Sequence, residues 1–312
     1  MTNKLRVALL AGGKSGEREV SLAGARGVLA ALDKQKYDVR QYDPATDLAR
    51  LAADAAGLDV AFILLHGPLG EDGSMQGFLD LLGLPYQGSG VLGSALAMNK
   101  NLAKILYKQA GLRVADWQMA SRRDIDSPEN ISAQLRFPLV VKPVGQGSSL
   151  GMSIAHDNAE LAAGLKRAFD YGSEVMAEEF IRGREITAGV LGNNDLQALP
   201  LVEIIPGEDY LFFDYEAKYK AGATREICPA DFPGKITRQA QENALCAHRA
   251  LGLRGYSRTD MIVSEEGEVF VIETNTIPGM TPTSLLPQAA QAVGYSFPQL
   301  LDLLIGLALE QK

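Results

Sequence analysis

The chain has 312 residues, 46% of them hydrophobic and 22% charged, and carries a formal net charge of −8. A chain of this length supports roughly two domains, or three small ones, with a buried core that needs no covalent staples. Its acidic balance, with a pI near 5.1, argues against nucleic acid or an anionic membrane as partner, although a local Lys/Arg cluster can still bind a small anion.

The first apolar stretch, Val7 to Ala11, is too short for a signal-peptide core, and no run approaches the ~20 apolar residues of a membrane span, so a cytoplasmic protein is expected. LRVALLA (5–11) reads as a buried strand ended by Gly12 and Gly13. Residues 21–33 read as a helix, 37–42 as an alternating strand, 46–56 as an Ala/Leu-rich helix and 59–65 as a second apolar strand. Strands alternating with helices predict βαβ units and a parallel sheet. Ligands then belong at the carboxyl ends of the strands, where the Gly-rich segments 12–21 and 66–77 fall.

A break falls at LPYQGSG (84–90), and helical character resumes from Val91 to Ala110. A second unit follows, with strands near 138–142 and 174–180 flanking a helix at 157–170. A third unit begins near Arg182 and holds strands at 184–192, 256–264 and 268–274. The polar, aromatic stretch 206–225 lacks periodicity and has the length of a functional lid. Cys228 and Cys246 stand outside any Cys-x-x-Cys or Cys/His cluster and read as free thiols of a reducing compartment. Helices around 284–293 and 297–310 close the chain.

Two glycine motifs carry no chemistry. Gly13-Lys14-Ser15 lacks the leading glycine of a P-loop, because position 8 is Ala8 inside a strand. GSGVLG (88–93) has dinucleotide-loop spacing, but Pro85 interrupts the preceding strand and no strand with a terminal acid follows, so a plain turn is expected.

Other stretches do carry chemistry. Lys100 and Lys142 are each placed for phosphate work. Lys142 ends the apolar strand FPLVVKP, where burial is costly unless it meets an anion. The loop VGQGSSLG (144–151) offers amides and hydroxyls able to close over a triphosphate, the alternative being a surface lysine beside a mobile hairpin. EEFIRGRE (178–185) suits a purine and its ribose, or equally a charged hinge. Asp260 lies in YSRTDMIV, and Glu273 and Asn275 in FVIETN. The turn SEEGE (264–268) would pair the two strands, and the i, i+2 spacing puts Glu273 and Asn275 on one face. Three oxygen donors there suit Mg²⁺, and inward carboxylates on apolar strands call for a cation. Arg258 shares the face of Asp260 and is placed to stabilise developing negative charge, with the Gly279 amide a second donor. Glu17, in SGEREVS, is a carboxylate suited to a substrate ammonium. His66, ending the second strand, is either a strand-end ligand or structural.

In order along the chain, AGGKSGEREVSL (11–22), HGPLGEDGSMQGFLDLLGLPYQGSG (66–90), LAMNK (96–100), VVKPVGQGSSLGM (140–152), FDYEAKY (213–219), YSRTDM (256–261) and ETNTIPGMTPTSLLP (273–287) resemble the D-alanine–D-alanine ligase branch of the ATP-grasp superfamily. The resemblance spans nearly the whole chain. It implies an α/β ATP-grasp fold: a Rossmann-like parallel-sheet domain (1–90) and two α+β units (91–181 and 182–312) clasping ATP, with a lid at about 206–225. It implies ATP as co-substrate, two Mg²⁺ or Mn²⁺ ions, D-alanine as substrate and a homodimer. Lys100 and Lys142 would meet the α- and β-phosphates and Lys218 the γ-phosphate. Glu178, Glu179, Ile181 and Glu185 would hold adenine and ribose. Asp260, Glu273 and Asn275 would bind the metal ions. Glu17 would anchor the first ammonium with His66 nearby, and Ser284 and Leu285 would hold the second carboxylate. Arg258 and Gly279 would form the oxyanion site, and Glu17, Ser148 and Tyr219 the triad tying the lid to the site. Tyrosine at 219 favours D-alanine over D-lactate as second substrate. Phe213 and Thr274 depart from the commoner tyrosine and alanine without removing a contacting group. The rivals are an ATP-grasp ligase for another carboxylate and a nucleotide-binding regulator without turnover.

Overall fold

The computed structural model describes residues 4–207 and 224–310. Lys218, Tyr219, Phe213 and most of the stretch expected as a lid therefore lie outside the described residues.

Three sheets organise the described residues. Strands β1 (Leu5–Leu10), β2 (Tyr37–Tyr42) and β3 (Val60–Ile63) form a parallel sheet in the order β2-β1-β3. β3 is buried along its whole length and β1 over its last four residues, which is why they read as continuous apolar runs. Helix α1 (Arg18–Ala31) buries Ser21, Gly24, Ala25 and Val28, a stripe at helical spacing. The helices α2 (Leu48–Asp54) and α3 (Ser74–Leu81) complete this layer.

The second sheet is antiparallel. It contains β4 (Trp117–Ala120), β5 (Leu139–Pro143), β6 (Ser153–Ala155) and β7 (Val175–Glu179) in the order β4-β7-β5-β6. The helix Asn158–Phe169 buries Leu161, Leu165 and Ala168 in a cluster with Leu139, Val141 and Val175 of this sheet. The third sheet has six strands: β8 (Gly183–Gly192), β9 (Gln197–Ala198), β10 (Val202–Pro206), β11 (Thr224–Ile227), β12 (Gly255–Ser264) and β13 (Val269–Asn275). Its order is β11-β10-β8-β12-β13, with β9 paired to β8.

The helical run read from Val91 to Ala110 is two helices, α4 (Val91–Met98) and α5 (Lys100–Gln109). Asn99 breaks it: its backbone is extended and its side chain accepts the Leu102 amide at 3.0 Å, capping α5. These helices, read from sequence as preceding the strands of the second unit, pack on the third sheet. Ala97, Ala103 and Tyr107 share a core cluster with Ala188, Val190, Met261 and Val271. The helix Gly234–Ala250 was not anticipated. Its buried stripe is Ala240, Ala244, Ala247 and His248, too small and polar to give an apolar periodicity.

The closing helices Leu285–Ala292 and Phe297–Leu309 join the first and third sheets, for Leu286, Leu300 and Leu304 lie in one cluster with Leu9, Phe62 and Val202. Among the described residues no single helix is long and apolar enough to cross a membrane. The closing pair is apolar as a whole but bent by 102°.

Candidate active site

The centre of the site is the β12–β13 hairpin. Its register places Asp260 opposite Glu273 and Arg258 opposite Asn275, so four polar side chains share one face. The other face is different in kind. Tyr107 donates to the Thr274 hydroxyl at 2.7 Å and Thr274 meets Thr259 at 3.0 Å, fastening α5 to the hairpin from behind. On the polar face the Arg258 guanidinium grips Asp260 with two bonds, Nε to Oδ1 at 2.8 Å and Nη2 to Oδ2 at 2.7 Å. Thr187 of β8 donates to the same Oδ1 at 2.7 Å. Lys100, first residue of α5, stands 3.3 Å from Glu273 and donates to the Gln146 carbonyl at 2.6 Å. Both carboxylates thus have a cation beside them, as burial demands.

Two cavities meet at this face. The larger, about 540 Å³, is lined by Glu17, His66, Arg258, Gly279, Ser284 and Leu285, together with Asn275. The smaller, about 130 Å³, is lined by Lys142, Glu178, Glu179, Ile181, Glu185 and Asp260. Lys100, Ser148 and Glu273 line both. Every site residue anticipated from sequence and present among the described residues falls on one wall or the other.

The larger cavity is built on the carboxyl ends of β1 and β3. Glu17, 7% exposed, precedes α1 and accepts the Ser148 hydroxyl across 131 residues of sequence. Ser148 and its neighbour Ser149 have φ values of +50° and +57°, a left-handed pair outside glycine that costs backbone energy. A side chain at Gly147 would stand 3.1 Å from the Glu17 carboxylate, so the loop lies close above it. Ser15 donates to the His66 carbonyl at 2.7 Å and fixes the second wall. Burial pushes the His66 imidazole below its ordinary range, with the Glu17 charge opposing, which favours a neutral ring at neutral pH. Ser284 begins the helix Leu285–Ala292, and its hydroxyl accepts the Thr281 amide at 3.1 Å. Ser284 and Leu285 both line the cavity, which brings the positive end of that helix to its wall.

The smaller cavity answers the question raised by Lys142. Its ammonium is buried and pairs with Glu178 of neighbouring β7, two residues beyond Met176, which the register sets directly opposite. The same carboxylate also takes Lys104 of α5, which sequence reading missed because nothing local marks a helix lysine as buried. Burial alone would raise the Glu178 carboxyl, but the two ammonium groups win and hold it at about 2.

Glu71 was also missed. It lines the larger cavity, and its carboxylate accepts the Gly67 amide at 2.7 Å. Burial, with the Glu17 charge adding to it, raises its carboxyl to about 8. The native group is then protonated near neutral pH while the unfolded one ionises above about 4.3. Its stability contribution is full below the unfolded value and is lost as pH rises towards 8. Glu71→Gln should therefore stabilise the ligand-free protein by several kcal/mol, on the order of 4–5, at pH about 8 and by well under about 1 kcal/mol at pH about 4.5. Thermal melts at the two pH values check this, and an equal gap at both would contradict it.

Family models agree with this architecture. One described as "D-ala D-ala ligase C-terminus" matches residues 106–306 and one described as "D-ala D-ala ligase N-terminus" matches residues 40–89. The chain is 61% identical to the D-alanine–D-alanine ligase of Desulfotalea psychrophila, over 99% of this chain and 96% of that one. It is 59% identical to the D-alanine–D-alanine ligase of Syntrophobacter fumaroxidans, over 99% of each. Among solved structures, the VanG D-Ala:D-Ser ligase from Enterococcus faecalis superposes with a TM-score of 0.87 at 32% identity, covering 98% of this chain and all of the other. The D-alanine–D-alanine ligase from Bacillus anthracis complexed with ATP gives 0.84 at 34% identity, over 98% of each chain.

Proposed function

The chain belongs to the D-alanine–D-alanine ligase family, and from that premise we propose that its two cavities serve the two halves of one reaction, ATP in the smaller and two D-alanines in the larger. The fold is the ATP-grasp fold. The protein joins two D-alanines to D-alanyl-D-alanine at the expense of ATP, for cell-wall precursor synthesis. The observation that carries the reading at residue level is the polar row of Arg258, Asp260, Glu273 and Asn275 at the seam between the cavities. A phosphoryl group passing from nucleotide to amino acid must cross that seam.

In this reading Lys100 and Lys142 meet the α- and β-phosphates, with Lys218 on the γ-phosphate. Glu178, Glu179, Ile181 and Glu185 hold adenine and ribose. The oxygen atoms of Asp260, Glu273 and Asn275 form a hard donor set on one face, which fits Mg²⁺ or Mn²⁺. Among the described residues no three His, Cys, Asp or Glu side chains cluster, so Asn275 and phosphate oxygens are needed to complete such a site. These residues would hold two ions, whose part is to neutralise phosphate charge.

Glu17 anchors the ammonium of the first D-alanine, with His66 beside it. The carboxylate oxygen of that first D-alanine attacks the γ-phosphorus and ADP departs, leaving an acyl phosphate. Ser284 and Leu285 orient the carboxylate of the second D-alanine. Its amine attacks the acyl carbon, and the oxygen that gains charge is met by Arg258 and the Gly279 amide. Collapse of that intermediate releases phosphate. Water would destroy the acyl phosphate, so the bond from Ser148 to Glu17, with Tyr219 as the proposed third member, closes the loop 144–151 over it. The same reading makes the protein a cytoplasmic homodimer of three units, 1–90, 91–181 and 182–312, with α4 and α5 seated on the third sheet.

Phosphate release from ATP, with D-alanine, L-alanine and D-lactate offered separately, tests the reading. D-alanine should be required and L-alanine inert. Turnover indifferent to D-alanine would defeat the assignment.

A further inference from the structure

Helix α5 carries lysines at 100, 104 and 108, a four-residue spacing that sets like charges on one face and weakens a helix. Lys100 faces both cavities, but Lys104 lines neither and is 1% exposed. Nothing in the reaction above uses it. Its ammonium pairs with one oxygen of Glu178 while Lys142 pairs with the other. Trp117 lies against it, with the ring centroid 5.1 Å from Nζ, and the indole is held by its own bond to Asn101 at 2.8 Å.

The charge count is what matters. One carboxylate between two ammonium groups leaves the buried triad at net +1. Without Lys104 the pair Lys142–Glu178 would be neutral, and a neutral pair in a low-dielectric wall attracts a polyanion weakly. Burying a second cation costs several kcal/mol of desolvation, which an apolar side chain of that volume would avoid. A cost of that size behind a cavity wall needs a function.

We infer that Lys104 is a positioning residue which, by sharing Glu178 from behind the wall, stops that carboxylate from cancelling the charge of Lys142, so that the wall stays positive towards the phosphates of a nucleotide in the smaller cavity. The inference rests on the assignment of that cavity to ATP. It makes Lys104 part of nucleotide affinity although it touches no nucleotide.

The test measures equilibrium ATP binding and the KM values for ATP and D-alanine in Lys104→Met and in Lys104→Arg. The methionine variant neutralises the triad and should weaken ATP binding about tenfold or more, with the D-alanine KM within about twofold. The arginine variant keeps the positive charge and should recover most of that loss. A purely structural role predicts the reverse order, the bulkier arginine being the worse. Melting curves accompany each variant, and Lys104→Gln serves if the methionine variant does not fold. Unchanged ATP affinity in the folded methionine variant, or no recovery in the folded arginine variant, overturns the role of Lys104. Failure of the wild type to bind ATP would instead overturn the assignment of the cavity.

Discussion

Arg258→Ala is expected to lower kcat about 10³-fold while ATP binding changes only a few-fold. The guanidinium lies at the seam of the two cavities, 11% exposed, and its orientation is set by two bonds to Asp260 rather than by solvent. Such a pre-set donor stabilises charge that appears only when the second amine has attacked, so its loss falls on kcat and not on substrate affinity. Removal also deprives the buried Asp260 carboxylate of its guanidinium, which adds to the loss. Arg258→Lys should rescue little, because one ammonium cannot reproduce the forked contact while also facing the reaction centre. Steady-state phosphate release with saturating D-alanine and ATP measures the effect. A variant retaining a tenth or more of wild-type turnover would remove Arg258 from the oxyanion site.

Arg258 was legible in the sequence for a physical reason. Strand alternation and a tight turn set which side chains share a face, and those are local properties. The same logic made Asp260, Glu273 and Asn275 a group before any coordinates, and the register bears it out by placing Asp260 opposite Glu273. The parallel sheet was legible because strands buried on both sides are continuous apolar runs. What could not be read depended on distant partners. Lys104 looks like any exposed helix lysine until Glu178, 74 residues away, is folded against it. Glu71 sits in a Gly-rich loop, and only burial in the folded chain, with Glu17 brought close beside it, makes its carboxyl abnormal. The helix Gly234–Ala250 hides its buried face in alanines, which lack the apolar contrast that periodicity detects. The packing of α4 and α5 on the third sheet is likewise a tertiary choice, invisible in a helix whose own pattern fits either neighbour. Strand alternation therefore made the hairpin residues readable, whereas Lys104 and Glu71 take their character from partners that only the folded chain brings up.

Glu17→Gln separates two roles that the geometry gives one carboxylate. Glu17 accepts the Ser148 hydroxyl and also lines the cavity assigned to the amino acids. If its only task were to fasten the loop, glutamine would serve, because the amide oxygen can accept the same bond and the side chain keeps its shape. If it anchors the ammonium of the first D-alanine, glutamine leaves a buried cation without its counter-charge. Losing one partner of a buried charge pair costs about 3–5 kcal/mol, equivalent to roughly 10²- to 5 × 10³-fold in kcat/KM. The expected result is a fall of that size for D-alanine with ATP affinity nearly unchanged. Ser148→Ala should do less, about tenfold, because it removes one neutral donor and leaves the carboxylate in place. It also leaves the left-handed backbone of Ser148 and Ser149 without one of its side-chain restraints, so its effect should appear partly as acyl phosphate lost to water. ATP consumed in excess of dipeptide formed measures that leak. A Glu17→Gln enzyme within about threefold of wild type, beside a severely impaired Ser148→Ala, would reverse the assignment and make Glu17 a latch rather than a substrate anchor.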